Sequence, residues 1–140
     1  MNIIVCGAGR VGFSIAKQLS AQSHSVTMID QSSEDIQKIT DSIDVKAIVG
    51  KATFPSVLEK AGAKKTDMII AVTKSDEVNM IICQIAHSIF SVTKKIARIR
   101  SYDYLDPKYG KLYSKIELPV DVIISPELEK MIFLRLELRK

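Results

Sequence analysis

The sequence predicts an α/β protein: a doubly wound, six-stranded parallel sheet with helices on both faces. Three observations carry that prediction. Short runs rich in Ile and Val alternate with longer helix-type segments from end to end. Several of the short runs are uninterruptedly apolar, as strands buried on both faces require. The first strand-to-helix junction is glycine-rich, and right-handed β-α-β crossovers place such junctions together along the carboxyl edge of the sheet, where ligands bind.

The strand candidates are residues 2–6, 25–29, 45–49, 68–72, 95–99 and 120–124. Between them the helix starts are legible. Ser32 and Ser33 precede Glu34 and Asp35, Ser75 precedes Asp76 and Glu77, and Ser125 precedes Pro126 and Glu127. Each start sets an N-cap hydroxyl before carboxylates that complement the helix dipole, and Pro126 stands where a missing N–H costs nothing. Gly62 suits the position just past the helix that begins near Pro55.

The helix expected over 76–90 is apolar over roughly 200° of arc through Val78, Ile81, Ile82, Cys83, Ile85, Ala86, Ile89 and Phe90, with Met80 outside it. Packing on a sheet calls for a stripe nearer 100°. The excess suggests a subunit interface, unless neighbouring elements of the same chain cover it. Asn79 interrupts the arc in the first turn, where ligand contact, capping and loop support are all open to it.

The first junction reads Gly7-Ala8-Gly9-Arg10-Val11-Gly12, a GxGxxG directly after a strand and opening a helix. Gly7 permits the tight turn, Gly9 lets a pyrophosphate approach the backbone, and Gly12 lets the helix pack closely on the sheet. Asp30 ends the second strand eighteen residues beyond Gly12, where a dinucleotide (Rossmann) fold places a carboxylate on the adenosine ribose. A carboxylate there favours NAD over NADP. The plain alternative is a tight turn and a strand that happens to end on an acid. Arg10 opposes the helix dipole in the first turn, which suggests an anionic partner such as a phosphate, or else simple solvent exposure.

Composition removes other classes. With 46% hydrophobic and 26% charged residues, 4 Pro and 6% aromatics, the 140 residues make one ordinary globular domain over 1–140. The formal charge of +4 raises nucleic acid, but no Arg-aromatic ladder or nucleic-acid motif accompanies it. The basic stretch between Lys94 and Lys115 reads as a solvated face or an anion site. Cys6 and Cys83 stand alone in apolar surroundings without metal-ligand spacing, so both read as packed thiols. The N-terminus has no signal-peptide pattern and no run reaches membrane-spanning length, which suggests a cytoplasmic chain. A dehydrogenase on this fold needs a substrate domain or a positioned proton donor, and six strands consume the length. His24 and His87 both fall away from the carboxyl edge. A nucleotide sensor therefore fits better than an enzyme. A small NAD-dependent oxidoreductase is the rival, with Tyr102, Tyr104 or Lys74 as donors.

The opening run from Ile3 to Gly12 resembles the TrkA-type RCK, or KTN, domain of potassium uptake systems. So do the stretch from Ala71 to Met80, the Ile96-Ala97-Arg98-Ile99-Arg100 strand and the Asp121-Val122-Ile123-Ile124-Ser125-Pro126-Glu127 segment. The likeness covers essentially the whole chain in order. It implies a non-catalytic cytoplasmic subunit, peripheral on the inner face of the plasma membrane, that binds NAD or NADH (ATP or ADP in related members). Such a subunit regulates a TrkH/TrkG-type membrane potassium channel as a homo-oligomer, a dimer or a larger ring. It further implies phosphates on Gly7, Ala8, Gly9, Arg10 and Val11, ribose on Asp30, adenine and ribose flanked by Gly50, Lys51, Ala52, Thr53, Thr73 and Lys74, and Arg98 on the phosphate side. An RCK domain of another cation transporter, such as an efflux antiporter, is the alternative within the family. Two departures stand out. Many members carry Gly-Asp-Ala-Thr where this chain has Gly50-Lys51-Ala52-Thr53. A complete bacterial TrkA also resembles two such domains, each with a smaller domain after it. The last eight residues alternate with period two rather than continuing a helical stripe, which suits swapping between subunits or a frayed end.

Overall fold

The computed structural model describes residues 1–138, with side chains through Arg135. Strands β1 (Asn2–Cys6), β2 (Ser25–Asp30), β3 (Lys46–Val49), β4 (Met68–Ala71), β5 (Lys94–Arg98) and β6 (Val122–Ile124) form one sheet. Its order is β3-β2-β1-β4-β5-β6, every neighbouring pair parallel. The order reverses direction at β1, so the crevice between the ends of β1 and β4 is the switch point. The doubly wound prediction is correct.

Helices α1 (Arg10–Ala21) and α2 (Ser33–Ser42) cover one face, joined by α6 (Pro126–Leu138). The other face carries α3 (Pro55–Lys60) and α4 (Asp76–Ser88). The short α5 (Tyr102–Leu105) and a 3-10 stretch (Pro107–Leu112) follow β5. Ile4, Ile29, Leu58, Ile69 and Ile82 are sealed on the α3–α4 side, and Ile3, Val5, Met28 and Ile39 on the other.

The expected caps form. Ser32 Oγ accepts from Asp35 N–H at 3.1 Å, Ser75 Oγ from Val78 N–H at 3.2 Å and Ser125 Oγ from Leu128 N–H at 3.2 Å. Gly62 adopts φ +90° after α3. Three expectations change. The last segment remains helical to Leu138, because side chains one and two turns after the Ser125 cap, Leu128, Ile132 and Phe133, pack on the sheet face. Arg139 and Lys140 lie outside the described residues. The basic stretch is not all solvated: Lys95 is 2% exposed, its ammonium donating to the Val92 and Thr93 carbonyls and pairing with Asp121 at 3.3 Å. Most of the broad apolar arc of this helix region is covered by the chain itself, and Met80, outside the arc, is buried as well. Ile81 and Ile89 stay about half exposed, at 48% and 57%.

Candidate functional site

Along the carboxyl edge the chain leaves β1 at Cys6 and turns into α1 through the six-residue glycine motif. Gly7 holds φ +114°, and a Cβ there would stand 2.7 Å from the Val72 carbonyl oxygen. A Cβ on Gly12 would meet the Gly7 carbonyl oxygen at 1.8 Å. These two glycines are dictated by the turn's own packing. Gly9 is different: a Cβ there would meet nothing within 4 Å. The space beside Gly9 is open, and the backbone N–H groups at the start of α1 border it. Such a helix start favours an anion.

Asp30 stands at the end of β2 and is already at work. Its Oδ1 accepts the Ala8 N–H at 2.9 Å and its Oδ2 accepts the Ser32 N–H at 2.8 Å. The carboxylate thus fastens the glycine turn to the β2–α2 turn. Each oxygen keeps a further lone pair for a hydroxyl. Across the crevice, Asn79 is completely buried and fixes the β4–α4 turn. Its Oδ1 accepts from the Thr73 N–H (2.9 Å) and Oγ (2.7 Å), while its Nδ2 donates to the carbonyls of Thr73 (3.2 Å) and Arg98 (2.8 Å). Loop support is the role the structure gives Asn79.

Gly7, Asp30, Lys51, Thr53 and Thr73 line one cavity of about 210 Å³ at the switch point. That volume lies below the roughly 300–1,000 Å³ of ordinary ligand pockets. The cavity has room for one moiety of an extended ligand, the remainder lying across the open turn. Ala8, Gly9, Arg10, Val11 and Gly12 build that turn, with Val11 and Gly12 buried and contributing through the backbone. Lys51 sets its ammonium 5.4 Å from the centre of the Phe54 ring. Of the expected residues beyond the glycine turn, two fall outside the cavity. Lys74 is exposed and does not line it. Arg98 turns toward α6, where its Nε and Nη2 meet Glu129 at 3.2 and 3.3 Å. Both side chains of this pair are mostly buried, at 11% and 17% exposed. Burial of a guanidinium beside α6 favours the carboxylate on that helix as its partner.

Sequence reasoning missed Glu129 and a second duty of Asp76. The Asp76 carboxylate accepts the N–H groups of Arg100 (3.0 Å) and Ser101 (2.8 Å), which sets the course of the chain after β5. Both partners lie more than twenty residues away in sequence, so no local spacing announces them. Of the rival donors, Tyr104 lies in the α5 region and its phenol is pushed up by a hydrogen bond with Glu77 and by that carboxylate's charge. His24 meets the N-terminal amine at 3.1 Å, at the opposite edge of the sheet. The thiols are sealed: burial drives Cys6 far up and Cys83 up to about 12. Among the described residues no cluster of His, Cys, Asp or Glu suits a metal ion, and no helix is long and apolar enough to cross a membrane.

Residues 3–126 match the family model of the TrkA-N domain. The chain belongs to the TrkA-N domain family. This TrkA-N domain is 46% identical over 140 residues to the Trk system potassium uptake protein TrkA of Azorhizobium caulinodans, covering 99% of this chain and 31% of that one. It is 41% identical over 127 residues to TrkA of Halomonas elongata, covering 91% and 27%. It therefore spans about a third or less of the curated relatives it matches. Among solved structures, the TrkA-N domain of the inner membrane protein ybaL from Escherichia coli shares its fold with a TM-score of 0.77 at 19% identity, covering 99% of this chain and 96% of that one. The GsuK channel bound to NAD does so with a TM-score of 0.71 at 19% identity, over 89% and 21%. The resemblance expected from the motifs is correct, and the Rossmann-type architecture of the TrkA-N domain with it.

Proposed function

We propose that this TrkA-N domain is the nucleotide-sensing part of a regulatory subunit in a Trk-type potassium uptake system. Its ligand is NAD or NADH, with ATP or ADP as the alternative. The observation that carries the reading is the convergence of Gly7, Asp30, Thr53 and Thr73 on one cavity beside an open helix N-terminus. A hydroxyl-bearing nucleoside suits the Asp30 end, and phosphates suit the turn. Support for the system comes from the relatives, which are named Trk system potassium uptake proteins. Support for the ligand class comes from GsuK, whose structures hold NAD and ADP.

On this reading the domain catalyses nothing. The cavity wall offers Lys51, Thr53 and Thr73, while Tyr104 and His24 sit elsewhere. The domain works in the cytoplasm as a homo-oligomer against a membrane potassium channel of the TrkH/TrkG type, with Ile81 of α4 and Ile89 just past its end available for self-association. Signalling then requires that the ligand favour one arrangement of the assembly over another. Calorimetric titration with NADH, NAD, ATP and ADP, repeated on Asp30→Ala, tests the ligand. Micromolar-range binding that weakens at least about tenfold in the variant is expected. Binding of none of the four, or an unchanged affinity in the variant, overturns the reading.

A further inference from the structure

The sheet face that carries α1 and α6 is not fully covered. Helix α1 packs on β1 and β2, and α6 packs on β6. Strands stand about 4.8 Å apart and a helix with its side chains is about 10 Å wide, so β4 and β5 run beneath a gap between the two helices. The gap is a groove of about 320 Å³. Ile70 of β4 and Ile96 of β5 make its floor, Ile15 and Leu19 of α1 one wall, and Leu128 and Ile132 of α6 the other. Ile96 lies in a strand paired on both sides and is still only partly buried. The polar side chains of the lining, Gln18 and Gln22, carry no charge.

One end of the groove opens at the amino edge of the sheet, where Met68 begins β4, Val122 begins β6 and Gln22 closes α1. Lys94 begins β5 at that edge, in register with Met68. Side chains alternate along a strand, so Lys94 shares the face of Ile96, whereas Lys95 points to the opposite face and is spent on Asp121 at 3.3 Å. Asp67, at the same edge, is engaged by the Asn2 N–H at 2.8 Å. Lys94 is exposed, and among the described residues no carboxylate stands within ion-pair reach of it. An apolar slot with an unmatched cation at its mouth is complementary to a hydrocarbon chain that ends in an anion. An apolar cavity of about 150 Å³ takes benzene, so about 320 Å³ has room for roughly twice as many carbons. We propose that the groove between α1 and α6 binds a single-chain fatty acid of medium length, its chain over Ile70 and Ile96 and its carboxylate at the amino edge beside Lys94. The mouth lies at the opposite edge of the sheet from the glycine turn and Asp30, so this site is separate from the nucleotide cavity and does not rest on the nucleotide reading.

The test is titration of sodium dodecanoate, sodium hexanoate and the cationic dodecyltrimethylammonium into the protein, each below its micelle concentration, read by calorimetry and by the methyl resonances of labelled isoleucines. Dodecanoate should bind in the micromolar range, and hexanoate at least about a hundredfold more weakly because it buries less hydrocarbon. Dodecanoate should shift the methyls of Ile15, Ile70, Ile96 and Ile132 and leave those of Ile4 and Ile82, on the other face, in place. Lys94→Glu changes an exposed position, and circular dichroism checks that the variant is folded. It should weaken dodecanoate by about tenfold and strengthen dodecyltrimethylammonium. No binding of dodecanoate, shifts confined to other residues, or an unchanged dodecanoate affinity in the folded variant overturns the proposal. So do shifts of the same four methyls on raising the protein concentration alone, with a dimer in light scattering, since the groove then serves a second copy of the chain.

Discussion

Gly7, Gly9 and Gly12 carry one motif and do three separable jobs. Adding a methyl group at position 12 places it 1.8 Å from a carbonyl oxygen, an overlap only backbone movement can relieve. Gly12→Ala is expected to cost at least about 3 kcal/mol in urea unfolding. Gly9→Ala meets open space and should cost less than about 1 kcal/mol, the loss being that of a tolerable N-cap. The same variant should nonetheless weaken nucleotide binding, because its methyl group occupies the room a phosphate needs. If both variants lose stability alike, the open space beside Gly9 is not ligand space. The turn and packing roles of Gly7 and Gly12, and the place of Asp30 at the end of β2, are legible in the sequence because each follows from a local spacing. What the spacing did not show is that Asp30 holds the turn itself, through Ala8 and Ser32.

At the scale of elements, the strands and main helices were legible because apolar runs and capping serines are local signals. Their docking was not. Asn79 ties the β4–α4 turn to the end of β5, and Arg98 ties β5 to Glu129 of α6; both depend on a tertiary partner. Asn79→Ala leaves the partly buried Thr73 N–H and Arg98 carbonyl without this partner and should cost about 2–4 kcal/mol by chemical denaturation. Glu129→Ala leaves the Arg98 guanidinium mostly buried and unpaired. It should raise amide hydrogen exchange in α6 while β1 and β4 keep their protection. Equal protection of α6 in the wild type and this variant would show that the apolar contacts of Leu128 and Ile132 dock the helix unaided. The family resemblance implies Arg98 on the phosphate side of a ligand, whereas in the structure it pairs with Glu129. The carboxylate that competes for it lies 31 residues away.

Across the whole molecule, the centre of the sheet and its β6 edge differ in how they are held. β1 has partners on both sides, whereas β6 is three residues long, pairs on one side and is anchored by Asp121 to Lys95. Hydrogen exchange should accordingly be slowest in β1 and β4 and fastest among strands in β6. The buried thiols give a pH dependence. Cys83 titrates near 9.0 when exposed and near 12 in the fold, so the unfolded chain holds fewer protons above the lower value. Its contribution to stability is complete below pH 9.0 and is lost as pH rises toward about 12. The urea midpoint should fall between about pH 8 and pH 10.5, and a disulfide reagent should label neither cysteine at pH 8 until the protein unfolds. Rapid labelling of the folded protein would contradict the sealed core. The carboxylate clasp of Asp30 on the glycine turn has a consequence for signalling. The receiving turn is already set before any nucleotide arrives, so binding spends little on ordering it and reshapes it little. On the proposed nucleotide reading, the turn behaves as a fixed socket rather than a moving part.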